Sequence, residues 1–187
     1  MLEFTGERVV PWSEGQKGWG WVLRDHLVRY NFVIPHIVGK TVRDLGCGTG
    51  YGSFLMSMIA EKVYGYDVEE AVGFAKDHFK ADNLKFYEKD VEKYRIPSTE
   101  ILVCFEVMEH LNDPHVFAEK LVANGPIVFW SVPVNDAGEF HKHVFTKESA
   151  EKLVPGSGIW YQSEQGYIVP KTIANFEPKY VIGVLNK

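Results

Sequence analysis

Apolar residues in this chain fall into short runs of strand length, separated by stretches where they recur at helical spacing. Val22, Leu23, Leu27, Tyr30 and Ile34 share one stripe and predict a helix reaching about His36. Short apolar-rich runs at 41–45, 62–66, 84–88, 101–105 and 127–131 read as strands. A helical pattern with Phe54, Leu55, Met58 and Ile59 follows the first of them, and a stripe of Ala71, Val72, Ala75 and Phe79 follows the second. Asp113 as N-cap and Pro114 at the first helical position open a further helix, which Gly125 closes. A helix over roughly 147–153 and strands at 159–161 and 179–185 complete the pattern. Alternating strand and helix predicts an α/β fold, a doubly wound and mostly parallel sheet with right-handed crossovers and helices on both faces.

The segment Val42-Arg-Asp-Leu-Gly-Cys-Gly-Thr-Gly-Tyr-Gly52 carries the most chemistry. A short apolar run ends near an acid, Asp44, and glycines occupy every second position from Gly46 to Gly52. Glycine lets a turn take positive φ and lets a ligand lie against bare backbone. The dinucleotide fingerprint needs its third glycine or alanine three places after the second. Tyr51 or Ser53 stands there, so the spacing G-x-G-x-G disfavours a dehydrogenase. The second strand ends in Asp67, about 20 positions on, where an acid can accept hydrogen bonds from ribose hydroxyls. A nucleoside without a required pyrophosphate is the ligand this pattern suits.

These residues resemble the class I S-adenosylmethionine-dependent methyltransferases, and the resemblance continues in order from about Val42 to Pro133. Val42–Gly52 is similar to motif I, so that Asp44, Gly46, Cys47, Gly48 and Gly50 would hold the methionine end of the cofactor. Asp67 matches the ribose acid, with Val68 beside the adenine. Leu84–Val91 matches the strand whose acid, Asp90, meets the adenine amino group next to Val91. Ile101–Leu111 resembles the fourth-strand motif "E-V-x-E-H-L", with Phe105 on the cofactor, and Gly125–Pro133 the fifth strand. Tyr30 and Arg29 resemble positions that reach the cofactor carboxylate. The fold implied is Rossmann-like, with an antiparallel last strand. Phe4–Pro11, His26–Tyr30, Glu139–Thr146 and Gln165-Gly166 look like a small-molecule and sugar-pathway subset. Arg43 departs from the family, which usually has an apolar residue there, and Glu100 replaces a common Asp. Arg43 can mark a strand face that reaches solvent.

Composition agrees with one domain over 1–187: an N-terminal lid and helix region at 1–38, with Trp12, Trp19, Trp21 and Tyr30, ahead of a cofactor-binding core at 39–187. The 187 residues are 45% hydrophobic and 24% charged, ordinary for a globule. A net charge of −5 and the lack of a lysine–arginine stripe argue against a nucleic-acid partner. No apolar run of transmembrane length and no signal-peptide pattern occurs, which predicts a cytoplasmic protein away from membranes, a monomer or homodimer. Cys47 lies in the glycine turn and Cys104 in a strand, so no disulfide is expected. Cys47 reads as a small residue filling a tight turn rather than a nucleophile.

Methyl transfer needs the acceptor aligned with an already activated donor, S-adenosylmethionine, leaving S-adenosylhomocysteine. Alignment of this kind can contribute roughly 7–11 kcal/mol. A general base helps only where the acceptor loses a proton, by about 10²–10⁴-fold. His110 and His143 are the candidate bases, with His141 as the alternative to His143. Histidine titrates near the working pH. His110 can equally hydrogen-bond backbone or cofactor. Glu106 and His110 stand at i, i+4 and could join His141 or His143 around a metal, but the reading favours none. The expectation is transfer to an oxygen or nitrogen of a small-molecule acceptor, such as a sugar. A non-catalytic S-adenosylmethionine-binding partner or sensor is the alternative.

Overall fold

A computed structural model describes residues 9–10 and 20–187. Trp12 and Trp19 of the expected lid lie outside the described residues. The chain divides into two compact units, Met1–Arg95 and Ile96–Lys187.

The first unit runs α1 (Gly20–Val33), β1 (Thr41–Leu45), α2 (Tyr51–Ser57), β2 (Lys62–Asp67), α3 (Glu69–His78) and β3 (Leu84–Glu88). Its strands lie in the order β3-β2-β1, all parallel, with Val42 opposite Val63 and Val63 opposite Leu84. Parallel neighbours need a crossover, which α2 and α3 supply. Val42, Leu45, Val63, Met56, Ala71, Val72 and Ala75 form the buried centre. Glu69 and Glu70 in the first turn of α3 and Lys76 and His78 in its last turn complement the helix dipole. Arg43 does not stand free in solvent. Its guanidinium lies 4.8 Å from the ring centre of Tyr64 and bonds the Tyr66 hydroxyl, so an aromatic cover replaces the family's apolar side chain.

The second unit runs β4 (Ile101–Phe105), α4 (Pro114–Asn124), β5 (Ile127–Pro133), α5 (Lys147–Ala150), β6 (Gly158–Gln162), β7 (Ile168–Pro170) and β8 (Tyr180–Asn186). All five residues of β4 are buried, as its unbroken apolar run implies. It pairs parallel with β5. The Asp113 carboxylate accepts from Val116 N–H at 3.0 Å and caps α4 as expected.

Beyond β5 the order is β8-β6-β7, and these three strands are antiparallel, where one antiparallel strand is expected. The addition is local. Gln165-Gly166 forms the turn between β6 and β7, with Gly166 at φ +88 and its N–H on the Ser163 carbonyl. A tight turn can join only antiparallel strands. At three residues ending in proline, β7 suits a sheet edge and leaves little sequence pattern. Helix α5 is one turn long instead of seven residues: past it the bonding tightens to three-residue spacing, Lys152 N–H to the Ser149 carbonyl and Leu153 N–H to the Ala150 carbonyl. No helix among the described residues is long and apolar enough to cross a membrane.

Candidate functional site

In the first unit the glycine turn is anchored to the end of β2. The Gly46 and Cys47 N–H groups both donate to the Tyr66 carbonyl, at 2.8 and 3.1 Å. Gly48 and Gly50 take φ of +54 and +89. A Cβ on Gly50 would stand 2.6 Å from Ala75 Cβ, so close packing excludes a side chain there. A Cβ on Gly48 would meet none of the described residues within 4 Å. Gly48 is therefore the place where the backbone is open to a ligand.

Its N–H donates to Asp67 Oδ2 at 2.7 Å, while Asp67 Oδ1 accepts from Val68 N–H at 2.8 Å. The expected ribose acid is thus clamped to the glycine turn. Asp67 is half-buried, and a carboxylate can accept several hydrogen bonds, as sharing with ribose hydroxyls requires. Val68 beside it is exposed. Thr49 extends the clamp by donating to the Val9 carbonyl at 2.8 Å.

Asp44 is fully buried behind this turn. Its Oδ2 accepts from Ser53 at 2.6 Å and from the Tyr30 hydroxyl at 3.4 Å, and Oδ1 has no hydrogen-bond partner. Burial raises its carboxyl to about 7, with Asp67 adding to the rise and the bonds from Ser53 and Tyr30 opposing it. Tyr30 packs its ring over Gly52, where a Cβ would come within 2.0 Å of it. Burial and then the charges of Asp67 and Asp44 push the Cys47 thiol up, which suits a turn-filling residue and disfavours a thiolate. Neither Cys47 nor Cys104 forms a disulfide. An unmatched acceptor on Asp44, open backbone at Gly48 and an accessible carboxylate at Asp67 fit an adenosyl cofactor with a cationic amino group. Asp90 is exposed and paired with Lys93 at 2.8 Å, which holds its carboxyl low, and Val91 is buried.

In the second unit Phe105 ends β4, buried. Glu106 follows at φ +55, and its carboxylate accepts from the Ser131 hydroxyl of β5 at 2.6 Å. Residues 108–110 form a 3-10 turn, so the i, i+4 spacing of Glu106 and His110 is not that of an α-helix. The donors that converge are Glu109, His110 and His141, whose ligand atoms lie within 4.8 Å of one another. Glu109 was not among the expected site residues, although it stands inside the fourth-strand motif. The His110 and His141 rings meet edge to face, 4.9 Å between centres. His143 takes another course: its backbone N–H donates to the Glu109 carbonyl, and its ring stacks on Phe145.

Residues 43–123 match the protein family described as "Methyltransferase domain". Over 123 residues the chain is 29% identical to a probable S-adenosylmethionine-dependent methyltransferase of Mycobacterium tuberculosis, covering 64% of this chain and 43% of that protein. It is 27% identical over 150 residues to a ubiquinone biosynthesis O-methyltransferase of Paraburkholderia phymatum, covering 75% of this chain and 63% of that one. The chain thus spans less than two thirds of the length of these relatives. Among solved structures, the N-methyltransferase NodS of Bradyrhizobium japonicum, in complex with S-adenosyl-L-homocysteine, superposes with a TM-score of 0.69 at 13% identity, over 93% of this chain and 90% of that one. Residues 43–123 are thus similar to a methyltransferase domain, and the relatives matched over more of the chain are S-adenosylmethionine-dependent methyltransferases. The sugar-pathway subset suggested by the sequence is not among these likenesses.

Proposed function

We propose that this protein transfers a methyl group from S-adenosylmethionine to an oxygen or nitrogen of a small-molecule acceptor. The observation that carries the reading is the Gly48 N–H bond to Asp67, which joins the open glycine turn to the ribose acid at 2.7 Å. In this reading Gly46 and Gly48 give the cofactor bare backbone, Gly50 lets the turn pack closely enough to hold them there, Asp67 accepts its ribose hydroxyls, and Asp44 Oδ1 takes a proton donor of its cationic end. Val68, Asp90 and Val91 border the adenine, and Tyr30 holds Asp44 in place. The bound cofactor supplies a methyl group activated by a sulfonium. The protein's own contribution is then mainly to bind and orient.

Where the acceptor is a hydroxyl, a general base takes its proton, and His110 and His143 are the candidates. The bond from His110 Nδ1 to the Phe140 carbonyl leaves Nε2 as its basic atom. A small acceptor is supported by the net charge of −5 and by the O-methyltransferase names among the relatives.

Calorimetric titration with S-adenosylmethionine and S-adenosylhomocysteine, with NAD as control, tests the first half. Micromolar binding of both, none of NAD, and at least tenfold weaker binding by Asp67→Ala are expected. Silence from folded protein overturns the reading. Binding with no methyl transfer across a broad panel of hydroxyl and amine acceptors favours the non-catalytic partner instead.

A further inference from the structure

We propose that Glu109, His110 and His141 form a binding site for a first-row divalent cation such as Zn²⁺ or Mn²⁺. The proposal revises the expectation of no metal, and it rests on the methyl-transfer reading only for what the cation would do.

Both imidazoles are held by their Nδ1 atoms. His110 Nδ1 lies 3.0 Å from the Phe140 carbonyl oxygen, and His141 Nδ1 lies 3.0 Å from that of Asp136. A carbonyl can only accept, so each Nδ1 carries the proton and each Nε2 presents a lone pair. This is the way a metal-binding histidine is usually fixed, its other ring nitrogen donating to backbone or carboxylate. His110 Nε2 is 3.9 Å from Glu109 Oε1, and the Glu109 side chain is 1% exposed. A cation between them would meet a carboxylate held almost wholly out of water, where charge favours a counter-charge.

The scaffold joins the two segments before any ligand arrives. Lys142 and His143 N–H groups both donate to the Glu109 carbonyl, at 2.8 and 3.1 Å, and Lys142 Nζ bonds Asn112 Oδ1 at 3.0 Å. The His-bearing loop is thereby laid against the turn that carries Glu109 and His110. Bond lengths of about 2.0–2.2 Å to nitrogen and oxygen put donors that share an ion roughly 3–4 Å apart. The donor atoms here need to close by an ångström or so, within the reach of side-chain rotation. Two imidazoles and one carboxylate select Zn²⁺, Mn²⁺ or Fe²⁺ over Mg²⁺ and Ca²⁺, which prefer all-oxygen ligands.

Three protein ligands leave coordination positions open. An acceptor hydroxyl bound there ionises more readily, so the site favours oxygen-bearing acceptors able to chelate a cation. His110 would then be a ligand, and His143 would remain the proton acceptor.

The test is titration of the chelator-stripped full chain with ZnCl₂ and MnCl₂, with MgCl₂ as control, alongside the visible absorption of the Co²⁺-loaded protein. One transition-metal ion per chain and a Co²⁺ spectrum with nitrogen ligation are expected. His141→Ala should weaken binding at least about tenfold with circular dichroism unchanged. Glu109→Gln should weaken binding likewise, and should that variant fail to fold, His141→Ala alone decides. His115→Ala, an exposed histidine on α4, serves as the control and leaves affinity unchanged. No binding, or equal binding by wild type and His141→Ala, overturns the proposal. S-adenosylmethionine titrated into the same stripped sample separates the two ideas. Cofactor binding without cation binding removes the metal and leaves the methyltransferase; the reverse removes the methyltransferase and leaves the metal.

Discussion

Asp44 holds the proton more tightly in the folded protein than in the unfolded chain, because burial raises it to about 7. By linkage, the stability this group contributes is whole below its unfolded pKa and is lost as pH rises through about 7. Each tenfold gain in proton affinity on folding corresponds to about 1.4 kcal/mol. Asp44→Asn imitates the protonated form and should exceed the wild type by at least about 1 kcal/mol at pH 8, with a smaller difference at pH 5. Urea unfolding at the two values checks this, and equal differences at both would refute it. Gly48 and Gly50 separate what binding needs from what packing needs. Gly50→Ala puts a Cβ 2.6 Å from Ala75 at φ +89, and overpacking with backbone strain should cost about 2–4 kcal/mol. Gly48→Ala meets open space and should cost about 1–2 kcal/mol through its positive φ alone. Its methyl group stands where the cofactor would approach, so binding should fall at least tenfold. A Gly48→Ala variant that binds S-adenosylmethionine normally would remove that turn from the proposed site. Asp67 and the glycines were legible because they are joined by one strand–helix–strand unit. Glu109 was not, since its partner His141 is distant in sequence and alternation does not describe its loop.

At the scale of elements, spacing located most helices and strands because their buried faces repeat with the period of the backbone. The first five strands begin where expected. Errors fell where local geometry broke the period: α5 stopped after one turn, and β7 was too short to show alternation. Helix α3 offers a test. Gly73 lies on its exposed side, and a Cβ there would meet nothing within 4 Å. Gly73→Ala should raise stability by about 0.5–1 kcal/mol through helix propensity. Thermal or urea unfolding measures it, and a loss would mean that Gly73 serves something other than the helix.

For the whole molecule, a ligand that binds the folded state alone stabilises it by mass action. S-adenosylmethionine at about 100 times its Kd should contribute about 2.7 kcal/mol. In a chain of 187 residues that raises Tm by roughly 5–10 °C. Differential scanning fluorimetry with and without the cofactor reads the change. NAD should leave Tm where it was, and an equal rise with NAD would count against the assigned cofactor.

The amino-acid sequence by itself determined the α/β class, the glycine turn, the acid that ends the second strand and the likeness to methyltransferases, because each depends on neighbours close along the chain. A strand, a turn and a helix need few residues to declare themselves. Tertiary structure alone decided the aromatic cover on Arg43, the burial that raises Asp44, the extra antiparallel strands and the meeting of Glu109 and His110 with His141. Desolvation and the convergence of side chains depend on which segments the fold lays together, and no periodicity in the sequence encodes that distance.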